Sequence, residues 1–139
     1  MEAPKYELAE ETRQQITIIL DDEEGIAWQE LDISVVRPRA LRDIPVHEVV
    51  AGSLGGFIQT TRNLSQQGEC WVDETALAIE ESRIKGDTLV MGDIIVKDTV
   101  VIDLKSDGIV DIFVDSPQVI GGSQIINNST RKNEMNRYV

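Results

Sequence analysis

From Trp71 onward, aliphatic residues recur every six positions, and this period restricts the available folds more than any other feature. The column Val72, Ala78, Ile84, Val90, Val96, Ile102, Gly108, Val114, Ile120 and Ile126 is aliphatic at every position but Gly108. Four residues after each stands a second set: Ala76, Ser82, Thr88, Ile94, Val100, Ser106, Ile112, Gln118, Gln124 and Thr130. These are mostly small or β-branched. Turn-forming pairs lie between them, at Gly86-Asp87, Gly92-Asp93, Lys97-Asp98 and Gly121-Gly122. A period of six cannot stay in phase with a helix of about 3.6 residues per turn. It fits a solenoid in which each flat side is one short strand and each corner one turn. Three sides make one coil, so residues 18 apart should stack at about 4.8 Å. The expected interior ladders are Val72, Val90, Gly108 and Ile126; then Ala78, Val96 and Val114; then Ile84, Ile102 and Ile120. About three coils fit between residues 72 and 130. An open sheet or barrel of short strands is the alternative, because six is also a multiple of the strand period of two.

Composition points the same way. Ile and Val number 17 and 14 in a chain of 139 residues, against nine Leu. Branching at Cβ suits a pleated strand better than a helix. The chain therefore reads as one all-β domain. Residues 1–56 form an N-terminal β-hairpin and capping region, 57–130 a short parallel β-helix, and 131–139 a tail. Within the first region, 1–14 reads as a polar lead with a helical turn at Leu8 to Arg13. Gln15 to Leu20 reads as a strand, Asp21 to Gly25 as an acidic turn, and Ile26 to Val36 as the returning strand. Pro38 should end it, since proline has no N–H for the ladder. Ser53 to Gly56 has tight-turn chemistry. A solenoid needs protected ends. The hairpin with Gly55-Gly56 is the expected cap at one end, and Ser129 to Val139 the expected cover at the other.

Three blocks carry a family resemblance: Arg39-Ala40-Leu41-Arg42-Asp43, then Ala51 to Ile58 (AGSLGGFI), then Asn63 to Val72 (NLSQQGECWV). The pattern resembles YdcK-like proteins and many small phage and prophage proteins of unknown function. Lys5-Tyr6-Glu7-Leu8 to Thr12 is similar to the start of the phage members. The resemblance is strongest over 37–72. It implies hexapeptide repeats folded as a left-handed parallel β-helix, and assembly as a homo-oligomer, a trimer or dimer. The repeats depart from the family after residue 97, where Ile102 to Phe113 lacks the usual small and glycine corner residues. The last coils are therefore expected to be irregular.

Many hexapeptide β-helix proteins are acyltransferases whose general base is a histidine between subunits. No histidine falls in these repeats. His47, the only one in the chain, precedes them. Lys85, Lys97 and Lys105 are scattered among aspartates, so no basic cluster is set to hold coenzyme A phosphates. Cys70, the single cysteine, excludes an internal disulfide and reads as a small buried apolar residue. Asp87, Asp93, Asp98, Asp103, Asp107, Asp111 and Asp115 recur every four to six residues. Solenoid corners would spread them apart, whereas a calcium site needs them in one loop. No catalytic residue, cofactor or metal is expected.

Twenty-five acidic against 13 basic residues give a net charge of −12. That charge repels nucleic acid and anionic lipid, so neither is an expected partner. No apolar run approaches the roughly 18 to 20 residues of a membrane span. Met1 to Glu10 is polar and acidic, unlike a signal peptide, so a cytoplasmic location in a bacterial host is expected. Asp21, Asp22, Glu23 and Glu24 are the candidate acidic interaction surface. The expected function is non-catalytic protein binding. The alternatives are inhibition of a host defence nuclease or surveillance complex through its basic groove, and acyl transfer.

Overall fold

A computed structural model describes residues 3–21, 28–105 and 111–129. It is all-β, and its parallel stacked coils form a β-solenoid of about three turns. The strands are β1 (Tyr6–Asp21), β2 (Trp28–Ala40), β3 (Phe57–Ile58), β4 (Trp71–Val72), β5 (Leu77–Ala78), β6 (Arg83–Gly86), β7 (Leu89–Val96), β8 (Val101–Leu104), β9 (Asp111–Ile120) and β10 (Ile125–Asn127). Successive coils pair in parallel on each side: β3 with β5, β5 with β7, β4 with β7, β7 with β9, β6 with β8, and β8 with β10. β7 serves two sides, pairing with β4 at one end and β5 at the other, with Gly92 at φ +93° between.

The six-residue period holds from Val72 to Ile102, where both predicted inward positions of each repeat are buried. Ser82 and Thr88 are polar members of this set. Ser82 Oγ donates to Ile79 O at 2.7 Å, and Thr88 Oγ1 donates to Lys85 O and accepts Leu104 N–H, each at 2.9 Å. Their hydroxyls are therefore satisfied within the interior, which removes most of the cost of burying them.

After Ile102 the predicted ladders are wrong. Val90 pairs with Ile112, Val96 with Ile120, and Ile102 with Ile126. The last coil is thus longer than 18 residues. Part of the excess lies between Ile102 and Ile112, around the Gly108 position, which is outside the described residues. The rest is an irregularity in β9, where Val114 pairs with Gly92 but Gln118 pairs with Ile94. Ile126 therefore belongs to the third ladder and Ile120 to the second. Below the regular coils, Ile58 pairs with Ala78, and Leu64 bridges to Ile84.

The hairpin is longer than its sequence pattern predicts. The lead with its helical turn is strand: Tyr6, Glu7, Leu8 and Ala9 pair with Ala40, Arg39, Pro38 and Arg37. Pro38 lies within β2 rather than ending it. It pairs with Leu8, and its carbonyl accepts Gly55 N–H at 2.8 Å, so its ring nitrogen faces the Gly55 side and the β1 ladder loses no hydrogen bond. Thr12 closes the bulge between Ala9 and Gln14: its Oγ1 donates to Ala9 O at 2.7 Å and accepts Arg37 N–H at 2.9 Å.

The base of the hairpin lies on the first coil. Val36 pairs antiparallel with Ile58, and Tyr6, Val36 and Ala40 join the solenoid core. Gly55 and Gly56 are buried there, with Gly56 N–H donating to Val72 O at 2.9 Å. They are a close approach rather than a tight turn. A Cβ on Gly55 would stand 2.7 Å from Val72 O, and one on Gly56 would strike Asp73 O and Ala76 O. At the far end the last layer is Ile112, Ile120 and Ile126, and the expected cover from 130 onward is outside the described residues.

Candidate interaction surface

Past the bulge, the hairpin leaves the solenoid as a two-stranded ribbon, Gln14 to Asp21 against Trp28 to Val35. Among the described residues no third strand pairs with it. Its in-register pairs sort the side chains by face, because paired residues of an antiparallel ladder point to the same side. One face carries Ile16 opposite Ile33, Ile18 opposite Leu31 and Leu20 opposite Gln29. The other carries Gln15 opposite Ser34, Thr17 opposite Asp32 and Ile19 opposite Glu30. On the polar face Thr17 Oγ1 donates to Asp32 Oδ1 at 2.6 Å, and Ile19 is 63% exposed. On the apolar face Ile16, Ile18, Leu20, Leu31 and Ile33 are half-buried. Val35, in register with Gln14 on the same face, is fully buried; among the described residues none of the five half-buried side chains is part of the solenoid core. Alternation is visible in the sequence of the second strand at Leu31, Ile33 and Val35, but the partnering of the two strands is not.

The candidate acidic surface is only partly described. Asp21 ends β1, in register with Trp28 at the outer end of the ribbon. Asp22, Glu23 and Glu24 lie outside the described residues.

His47 ends a short 3-10 turn, Pro45–His47, and its Nε2 stands 2.8 Å from Asp87 O. A carbonyl only accepts, so Nε2 carries the proton and the ring ties this turn to a solenoid corner. His47 borders an open cleft of about 530 Å³ with Glu48, Trp71, Asp73, Met91 and Asp111. Of the aspartates expected at corners, Asp87 and Asp98 lie between strands, whereas Asp93 lies in β7, Asp103 in β8, and Asp111 and Asp115 in β9; Asp107 is outside the described residues. Among the described residues no group of three or more His, Cys, Asp or Glu could hold a metal ion.

Cys70 is fully buried, as its reading as a small apolar residue requires. It has a neighbour that no local pattern announces. Lys5, only 1% exposed, donates from Nζ to Cys70 O at 2.6 Å and to Cys70 Sγ at 3.1 Å. Burial lowers the Lys5 ammonium pKa and raises that of the Cys70 thiol, and their mutual attraction offsets part of each shift.

The Asn63 to Trp71 string is a clasp between the chain start and the first coil. Gln66 Oε1 accepts Lys5 N–H at 2.8 Å and Tyr6 N–H at 3.1 Å, and its Nε2 donates to Tyr6 O at 3.0 Å. The Tyr6 hydroxyl donates to Leu64 O at 2.5 Å, and its ring meets Trp71 edge-on at 6.3 Å. Lys5-Tyr6 and the string, two of the stretches that carry the resemblance, therefore hold each other. Their chemistry is structural.

Fold and surface together define a short parallel β-solenoid that bears a protruding, two-faced β-ribbon. In comparisons with known proteins, no protein-family model matches the chain and no curated protein matches it.

Proposed function

We propose that the chain is a non-catalytic binding protein, in which the solenoid is a rigid base and the ribbon is the binding arm. The observation that carries this reading is the charge-free apolar row on one ribbon face, unclaimed by the protein's own core. An isolated two-stranded ribbon is marginal in water, and an apolar face on one is stabilised by being covered. The Lys5–Cys70 pair does not compete for a catalytic role. It is sealed from solvent, and a thiol pushed up by burial is a poor nucleophile.

The test is a shortened variant in which Gln14 to Val35 is replaced by a two-residue turn. The full chain and the shortened one are immobilised and challenged with a bacterial lysate at low and high salt. Capture of a protein by the full chain alone, with the melting transition of the solenoid retained in both, is the expected result. Equal capture by both chains rejects the ribbon as the arm. A calorimetric titration with coenzyme A separates the acyltransferase alternative, for which saturable binding would be required.

A further inference from the structure

We infer that the cleft beside His47 receives a basic, extended segment of a partner polypeptide. The cleft lies on the solenoid, and none of its described lining residues belongs to the ribbon. One wall is the outward face of a coil side. Val72, Val90 and Ile112 point into the core, so the residues that alternate with them point out. Trp71, Leu89 and Asp111 stand in register on three successive coils, with Asp73 and Met91 two positions further along. The other wall is the turn from Ile44 to Val49. Paired backbone hydrogen bonds between Ile44 and Val49, at 2.8 and 3.1 Å, close it, and Glu48 turns the chain at φ +58°. His47 ties that turn to the solenoid through Asp87 O. Both walls are therefore fixed before anything binds, which lowers the ordering cost of binding.

Charge and apolar surface together select the occupant. Pro45, Val46, Val49, Leu89 and Met91 give the cleft an apolar lining, and Val46 is 51% exposed. Glu48, Asp73 and Asp111 are its carboxylates, and no lysine or arginine stands among its described lining residues. Among the described residues these carboxylates have no ion-pair or hydrogen-bond partner. Glu10, Glu69 and Glu81, by contrast, pair with Arg13, Arg42 and Arg62. An occupant must therefore bring its own positive charge and also cover aliphatic surface. Lysine and arginine side chains do both, with a cationic head on an alkyl stem. Two coil spacings of about 4.8 Å and a two-residue offset put the Asp73 and Asp111 positions roughly 12 Å apart. One cationic head does not span that distance. Two basic side chains about four residues apart on an extended strand do, and they point to the same side. A polypeptide segment supplies this spacing, whereas a small amine does not. The net charge of −12 draws such a segment toward the chain.

Heteronuclear NMR of the full chain, titrated with the terminally blocked peptide RSLSR at low salt, tests this. The peptide sets two arginines four residues apart, with a leucine between them on the same face. Saturable shifts in the amides of Val46 to Val49 and of Leu89 to Met91 are expected. The affinity should fall by roughly fivefold or more at about 0.5 M salt. The double variant Asp73→Asn with Asp111→Asn should weaken binding by roughly tenfold, from a few-fold at each exposed charge pair. The double variant Glu10→Gln with Glu81→Gln removes the same charge away from the cleft and should bind like the parent. The amide spectrum of each variant shows that it is folded. No saturable shift at these amides overturns the inference. Equal binding of the blocked peptide ESLSE, or undiminished binding by the Asp73 and Asp111 variant, overturns it as well. Ethylguanidinium, a single cation on a short stem, should bind at least roughly tenfold more weakly than the peptide. Equal affinity would overturn the polypeptide occupant and assign the cleft to a small cation.

Discussion

The Asn63 carboxamide bridges two coils, its Nδ2 donating to Ser82 O at 2.9 Å from a fully buried position. The same nitrogen donates to Glu80 O at 3.0 Å. Its Oδ1 accepts the Gln59 and Thr60 N–H groups at 3.0 and 3.1 Å. All four hydrogen-bonding positions of the amide are filled. Asn63→Ala would strand carbonyls and N–H groups where water has little access, at about 1–3 kcal/mol for a group left unsatisfied. The expected loss is about 3 kcal/mol in urea unfolding, with an unchanged slope. A loss below about 1 kcal/mol would mean that water replaces the amide.

The interior ladder predicts a contrast within one side of the prism. Ile102 is fully buried between Ile84 and Ile126. Ile125 stands next to Ile126 in β10 but is 62% exposed. Ile102→Asp should cost more than about 4 kcal/mol, by burying an unpaired carboxylate or forcing it to stay protonated. Ile125→Asp should stay within about 0.5 kcal/mol of the parent. Thermal melts of the two variants measure this directly, and similar melting temperatures would contradict the register.

Cys70 should behave as an inert thiol. Its burial raises its pKa, and the nearby Lys5 ammonium only partly offsets that. Alkylation by iodoacetamide at pH 8 should be slower than in urea by at least roughly a hundredfold, because the thiolate forms freely only after opening. Mass spectrometry over a time course gives both rates. Equal rates would show that solvent reaches Sγ in the folded state.

Asp98 introduces a pH dependence of known sign. The Gly122 N–H at 2.7 Å, and next the Lys97 ammonium at 2.9 Å, hold its carboxyl below the ordinary value of 3.8. Its folded pKa is depressed, so its stabilising contribution is full above the unfolded pKa. The contribution is lost as pH falls through the folded value. The side chain is 40% exposed, so screening keeps the effect below about 1 kcal/mol. Asp98→Asn keeps the shape and suits the left-handed backbone at φ +57°. The stability difference between parent and variant should therefore be present near neutral pH and shrink below pH 3.8. A difference that does not change with pH would remove the charge from the account.

Parts of this fold were legible because they are local and periodic. From Val72 to Ile102 the spacing places every ladder correctly, since each side of a coil repeats the same short strand. The hairpin was legible for a similar reason: acidic turn residues separate two apolar runs. The ladders after Ile102 were not legible. The chain there adds residues between Ile102 and Ile112 and within β9, and local composition does not distinguish an insertion from a missed repeat. Pro38 misled because the cost of its missing N–H depends on which edge of β2 it faces: its carbonyl accepts Gly55 N–H, so its ring nitrogen faces that side and not the β1 ladder.

The sequence by itself determined the class of fold, because a six-residue period admits short stacked strands and excludes helix. It also determined the hairpin, as two apolar runs on either side of an acidic stretch. Only the tertiary structure decided that Lys5 meets Cys70, that Asn63 spans the coils, and that the outer ribbon is left without a partner strand. Those outcomes depend on pairing between segments up to 65 positions apart. Such pairing is set by how whole coils and the hairpin stack to bury their interiors, which no residue's immediate neighbours record.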